Sequence, residues 1–207
     1  MNGKPILWIG VIAAIALACQ STDIHQGTEA SVAVGDDAMS QDALMEAWMT
    51  SGEPGPHHEH MKQFLGRWKS TSTFWNAPGE EPTQAGGEMT YESLYDGRFL
   101  LARYEGEMFG APFSGLSTLG YNNVRKRYES IWIDNVSSSH AMSVGTCDAS
   151  GKTFTMSMEN WDPISGRKKT SREIIRILSP ERHEMLWYDK GPDGKEFMSA
   201  KIVYEKL

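Results

Sequence analysis

The sequence predicts an all-β fold, an up-and-down antiparallel barrel of about ten strands preceded by one or two short helices. Three observations carry this. From Arg67 onward hydrophobicity alternates with a period of two, in segments of about eight to ten residues. Short runs of turn formers separate the segments. A meander of that many strands leaves two unpaired edges unless it closes on itself, and closure removes them. A two-sheet sandwich is the alternative.

The elements follow in order. Residues 39–50 read as a short helix: Leu44, Ala47 and Trp48 lie at i, i+3 and i+4 and form one apolar stripe, and Ser40 is placed to cap it. Gly52-Glu53-Pro54-Gly55-Pro56 breaks the helix. A second short helix runs from about His57 to Leu65, with Met61, Phe64 and Leu65 on one face and Gly66 ending it. The predicted strands are Arg67–Trp75, Gly87–Tyr95, Arg98–Met108, Phe113–Tyr121, Arg127–Asp134, His140–Cys147, Thr153–Trp161, Lys169–Leu178, His183–Asp189 and Glu196–Glu205. Between them stand turns such as Asp96-Gly97, Asn122-Asn123, Ser179-Pro180 and Gly191-Pro192-Asp193-Gly194, where Gly and Asn accept positive φ and Pro presets the bend.

Ahead of this domain the first 19 residues read as a bacterial lipoprotein signal. Lys4 supplies the positive start, and the apolar run Ile6–Ala18 is too short for a permanent membrane span, which needs roughly 20 residues. Small Ala18 followed by Cys19 resembles a lipoprotein cleavage site, with Cys19 as the lipidated residue; Ala16 stands where leucine is commonest. Gln20, rather than an aspartate, after the cysteine implies by the same resemblance an outer-membrane anchor facing the periplasm. An ordinary secreted protein cut near Ala18 is the alternative. Residues 20–61 hold eight acids and no Lys or Arg, whereas residues 62–207 hold 19 acids and 19 bases. Residues 20–38 therefore read as a flexible acidic tether and residues 39–207 as the barrel domain. A formal net charge of −7 argues against nucleic acid as a partner. Cys147 has no evident disulfide partner and reads as a small buried hydrophobe.

Alternation places Tyr128, Ser130, Trp132 and Asp134 on one face of the fifth strand, Phe154, Met156 and Met158 on one face of the seventh, and His183, Met185, Trp187 and Asp189 on one face of the ninth. Seven methionines fall in or beside strands: Met89, Met108, Met142, Met156, Met158, Met185 and Met198. Flexible Met, aromatic rings and a few polar groups suit a small-molecule pocket. The residues expected to line or close it are Tyr121, Tyr128, Trp132, Asp134, Met156 and Trp187, with a small apolar or amphipathic molecule as ligand. A filled barrel of structural or interaction role is the alternative. An enzyme with a polar set such as Asp134, His140 and Arg172 at the barrel mouth is a further one; Asp134 and Arg172 read first as a simple structural ion pair, with a pair at a pocket the lesser alternative.

No nucleophile elbow, phosphate loop or dinucleotide fingerprint occurs. His57 and His60 at i, i+3 could share a metal, but the cluster Met61 ends lacks the H-E-x-x-H spacing and reads as an exposed helix start with a capping role. No metal and no cofactor is assigned. His140 and His183, each alone on its strand, read as packed and hydrogen-bonded histidines, with haem ligation the lesser alternative.

Several ordered pieces together resemble a known family. Pro54-Gly55-Pro56-His57-His58 leads through Phe64 to Gly66-Arg67-Trp68; Asp96-Gly97-Arg98-Phe99-Leu100, Gly120-Tyr121-Asn122-Asn123, Trp132-Ile133-Asp134-Asn135 and Gly191-Pro192-Asp193-Gly194-Lys195-Glu196-Phe197 follow. With Ala47-Trp48 they resemble, over about residues 40–207, the bacterial family catalogued as domain of unknown function 1579. The resemblance implies a lipocalin-like or fatty-acid-binding-protein-like barrel and carries no established reaction. Gly66-Arg67-Trp68 also resembles the start of the first lipocalin strand, which implies that Trp68 plugs one barrel end.

Overall fold

In the computed structural model of the protein the described residues are 39–108, 110–163 and 165–207. The expected signal and tether, residues 1–19 and 20–38, lie outside them. Residues 40–207 form one compact unit.

Helix α1 spans Gln41–Ser51, and Ser40 caps it by accepting the Ala43 N–H at 3.2 Å. The expected apolar stripe is not buried: Leu44 and Trp48 are exposed, and no residue of α1 is buried. Only its C-terminal end is tied down. Arg98 Nε donates to the Gly52 carbonyl at 2.7 Å, and Asn123 Nδ2 donates to the carbonyls of Ser51 and Glu53 at 3.0 and 2.8 Å.

Helix α2 spans Pro56–Met61 and runs into a single 3-10 turn, Lys62–Phe64. Pro56 opens it where the missing N–H costs nothing. His58 caps it, its Nδ1 accepting the Gly55 N–H at 2.9 Å. The expectation of an exposed histidine cluster is corrected here, because His58 is buried edge-on against the Tyr121 ring.

Ten strands follow among the described residues: β1 Gly66–Phe74, β2 Thr83–Leu94, β3 Phe99–Met108, β4 Ala111–Asn122, β5 Arg127–Asp134, β6 Ala141–Cys147, β7 Thr153–Asp162, β8 Arg167–Ser179, β9 Arg182–Lys190 and β10 Glu196–Lys206. Each pairs antiparallel with its sequence neighbours, and β1 pairs with β10, so the sheet is a closed barrel. That pairing excludes the sandwich. Left-handed backbone concentrates in the tight β2–β3 turn, at Tyr95, Asp96 and Gly97.

Because the connections are short, alternate turns lie at opposite ends. The β2–β3, β4–β5, β6–β7 and β8–β9 turns share one end with α1 and α2. The β1–β2, β3–β4, β5–β6, β7–β8 and β9–β10 turns share the other. The first end is sealed: Met61 and Phe64 drop from α2 and the 3-10 turn onto Leu100, Tyr128, Phe154 and Met156. A second apolar cluster runs along β1–β4 and β10 through Trp68, Met89, Ala102, Tyr104, Phe113 and Tyr204. Each large side chain among them contributes roughly 1.5–3 kcal/mol through removal from water. Trp68 is 1% exposed, and its Nε1–H donates to the Phe64 carbonyl at 2.6 Å, which joins the plug to the first strand. Met142 departs from the methionine reading: it points outward and is exposed. Cys147 is half-buried against the sealed-end cluster, and burial, with Asp148 beside it, pushes its thiol up to about 11.

Candidate functional site

The inward residues change character from the sealed end to the opposite mouth. Each strand enters the interior at a known row, so this can be read strand by strand. In β5 the order from the sealed end is Tyr128, Ser130, Trp132, Asp134; in β7 it is Phe154, Met156, Met158, Asn160. β8 runs the other way, so Ile177 and Ile175 lie deep, then Glu173, Ser171 and Lys169 toward the mouth. β9 gives His183, Met185, Trp187 and Asp189 in the same direction. Along β5, β7, β8 and β9 the interior is thus apolar at the plug and polar toward the opening, whereas on the β3–β4 wall Met108 and Phe113 stay apolar up to the mouth.

Glu173 occupies the middle rows and is buried. Trp187 Nε1–H donates to its Oε1 at 2.6 Å and the Ser143 hydroxyl to its Oε2 at 2.9 Å. Burial raises its pKa above the usual carboxylate value, and the two hydrogen bonds oppose that rise only in part. One step toward the mouth, Asp189 accepts the Ser171 hydroxyl at 2.5 Å and an ion pair from Lys169 Nζ at 2.9 Å. Burial pushes Asp189 up, but hydrogen bonds from Ser171, Lys169 and Ser199 outweigh it and leave the carboxyl below its usual range. On the facing wall the Ser117 and Ser130 hydroxyls bond each other at 3.0 Å. Trp132 Nε1–H donates to Asp134 Oδ2 at 2.9 Å, and Asp134 Oδ1 takes the N–H groups of Val136 and Ser137 at 3.0 and 2.8 Å, which closes the turn after β5. The Trp132 ring lies directly over Gly115, where any Cβ would overlap it, and stacks on Phe113. Trp132 and Met108 pack against the same apolar cluster. Met108, with Phe74, Ala85 and Gly110, lines a cleft of about 560 Å³ at the rim.

The six residues expected to form the pocket are therefore divided. Trp132, Asp134 and Trp187 stand in the polar half. Tyr121, Tyr128 and Met156 stand at the sealed end, where Tyr121 stacks on His57 at 4.1 Å between ring centroids. The Tyr128 hydroxyl donates to the His57 carbonyl at 3.0 Å and lies 3.1 Å from His60 Nδ1. The trio Asp134, His140 and Arg172 is not assembled. His140 is exposed in a loop, and Arg172 points outward onto Glu196 at 2.6 Å and over the Tyr188 ring. The expected Asp134–Arg172 pair is thus corrected: the two residues lie on opposite sides of the barrel wall. Among the described residues no three of His, Cys, Asp and Glu gather as a metal site.

His183 departs from its expected setting as well. It is boxed by rings rather than hydrogen-bonded: stacked on Tyr204 at 4.4 Å and met edge-on by Trp68 at 4.4 Å and Phe64 at 5.2 Å. Neither ring nitrogen has a hydrogen-bond partner among the described residues. Burial pulls its pKa down to about 3, so the imidazole is neutral near pH 7. Alternation in β9 had already placed Asp189 on the Trp187 face, but Glu173 and Ser143 were not singled out from sequence. The signal for Glu173 was the alternation in β8, which puts Ser171 and Glu173 on the same face as Ile175 and Ile177.

Comparison with known proteins agrees with this architecture. The sequence model of one family, described as a protein of unknown function (DUF1579), matches residues 53–206. Among curated proteins none matches the sequence. The crystal structure of Rv2717c from M. tuberculosis superposes with a TM-score of 0.56 at 14% identity, covering 75% of this chain and 99% of that one. It shows a shared barrel fold. A structure of EF1p2_mFAP2b bound to DFHBI is similar at a TM-score of 0.40 and 14% identity, over 73% of this chain and 99% of that one, a likeness too low to say anything of this chain's ligand.

Proposed function

The chain belongs to the DUF1579 family, and from that premise and the barrel's interior we propose that it is a binding protein of the bacterial cell envelope. It takes a small apolar or amphipathic molecule through the unsealed end of its barrel. The single observation that supports this most is the polarity gradient along one wall of the barrel: rings and methionines at the plug, then Glu173 with Trp187 and Ser143, then Asp189 and Lys169 near the mouth, facing an apolar wall that holds Phe113 and Met108. A barrel that served only as a packed core would gain nothing from a buried carboxylate, which costs several kcal/mol to desolvate. An amphipathic molecule entering apolar end first would match that gradient. Trp132 and Trp187 supply aromatic walls, and the interior carboxylates favour a neutral or hydrogen-bond-donating head over an anionic one.

In the same reading, Cys19 carries the lipid that holds the protein at the outer membrane, facing the periplasm. The apolar run ending in Ala18-Cys19 supports this. Native mass spectrometry of the protein purified from its own host tests the binding role. The expected result is a bound mass that is retained in wild type and lost from Trp132→Ala or Trp187→Ala. A bare protein, or a bound mass indifferent to both substitutions, favours the filled barrel instead.

A further inference from the structure

We propose that the sealed end of the barrel docks on the lipid bilayer through α1 and the two hairpin turns beside it. The proposal rests on the envelope anchoring put forward above and adds a defined contact surface to it.

Leu44, Met45, Trp48 and Met49 fall within an arc of about 140° on α1, at 100° per residue, while Asp42 and Glu46 lie beyond it. That face is exposed, and Trp48 is 73% exposed. The C-terminal end of α1 is pinned between the β2–β3 and β4–β5 turns by Arg98 and Asn123. Those turns raise their own apolar tips, Tyr95 at 73% and Val124 at 75% exposure. Six large apolar side chains thus stand in water together at one end of the domain. A patch of that kind marks an interaction site.

The occupant follows from the chain itself. This is the end at which residues preceding α1 enter the domain, and 21 residues lie between Cys19 and Gln41. Even fully extended, that length spans only roughly 75 Å, so a lipid on Cys19 confines this end near the bilayer. Trp and Tyr are the side chains that settle at the headgroup level, with their rings in the apolar boundary and their polar atoms in water. The charges around the patch nearly balance, with Asp42, Glu46, Glu53 and Asp96 against Arg98, Arg125 and Lys126. The contact is therefore apolar and needs no anionic lipid. One short apolar face binds a bilayer only marginally, and joined to a lipid anchor it becomes a stable two-point attachment. No helix among the described residues is long and apolar enough to cross a membrane. The barrel wall is not a spanning surface either, since its outward rows carry ion pairs such as Arg67–Glu88 and Lys168–Glu159. Docked in this way, the protein turns its unsealed mouth away from the lipid and toward water.

The test uses the full-length lipoprotein purified from its host membrane and reconstituted in phosphatidylcholine vesicles with plain or brominated acyl chains. Bromine quenches indole emission on contact. The expected result is quenching in the wild type that disappears in Trp48→Phe and persists in Trp161→Phe, whose ring is exposed near the opposite end. Vesicle-bound protein without Trp48-dependent quenching overturns the docking and leaves the anchor standing. Quenching lost only in Trp161→Phe places the mouth on the bilayer and also overturns it. Protein that never fractionates with membranes overturns anchor and docking together.

Discussion

Glu173 and Trp187 are direct cross-strand partners in β8 and β9, and the Trp187 indole N–H donates to Glu173 Oε1 at 2.6 Å inside the barrel. Together with the Ser143 hydroxyl this satisfies both carboxylate oxygens. An interior carboxylate so held is satisfied in hydrogen bonds yet short of countercharge, which is why burial dominates its titration.

That imbalance has a pH signature. A carboxyl whose folded pKa exceeds its ordinary 4.5 stabilises the fold fully below that value, and the contribution is lost as pH rises through the folded pKa. Glu173→Gln removes this loss. Denaturant unfolding at pH 4.5 and pH 8 is expected to show the variant gaining on wild type at the higher pH. An identical difference at both pH values contradicts the assignment.

His183 acts with the opposite sign. Its folded pKa is down at about 3 against an ordinary 6.5, so below about pH 6.5 the unfolded chain takes up a proton that the native state refuses. Stability falls as pH drops through that window, by at most about 1.4 kcal/mol per pH unit. His183→Phe keeps a ring in the box formed by Trp68, Phe64 and Tyr204 and discards the unpartnered nitrogens. Unfolding measured from pH 7 to pH 4 is expected to show a shallower decline in the variant; an unchanged slope contradicts it.

Trp68 and Trp132 separate structure from site. Trp68 is buried between the plug and the sheet, and Trp68→Ala is expected to cost about 3–5 kcal/mol through the cavity it leaves. Trp132 is only half-buried, so Trp132→Ala is expected to cost distinctly less. Chemical denaturation of both decides this, and equal large losses would mean that Trp132 is core.

Anchoring is checked by Cys19→Ala. The variant is expected to remain an unprocessed precursor or to leave the membrane fraction. A mature species that still sediments with membranes contradicts lipidation.

How much of this was legible in the sequence follows from what period two can and cannot encode. Alternation and the Asp-Gly, Asn-Asn and Gly-Pro-Asp-Gly turns located the strands to within a few residues, because side-chain direction reverses at every step along a strand. They also showed which residues share a face, as with Tyr128, Ser130, Trp132 and Asp134. Height along the barrel axis was not legible. It depends on cross-strand register and on which end α2 plugs, so Tyr128 and Met156 could not be told from Trp132 and Trp187. Glu173 was hidden because both faces of β8 mix charged and aliphatic residues, with Arg172 and Ile174 outward and Glu173 and Ile175 inward. In α1 the spacing of Leu44, Ala47 and Trp48 marked an apolar stripe that is not buried, because a periodic pattern carries no statement about a partner.

The central claim is that the unsealed half of the barrel receives a small amphipathic molecule between Trp132 and Trp187. Titration of the neutral apolar dye N-phenyl-1-naphthylamine tests it most directly, in wild type, Trp187→Ala and Trp132→Ala, each first shown to be folded. The account predicts saturable one-to-one binding in wild type, weakened about fivefold or more by either substitution, since an aromatic wall contributes of order 1–3 kcal/mol to a ligand of that size. No saturable binding by the folded wild type, or binding indifferent to both substitutions, would contradict it.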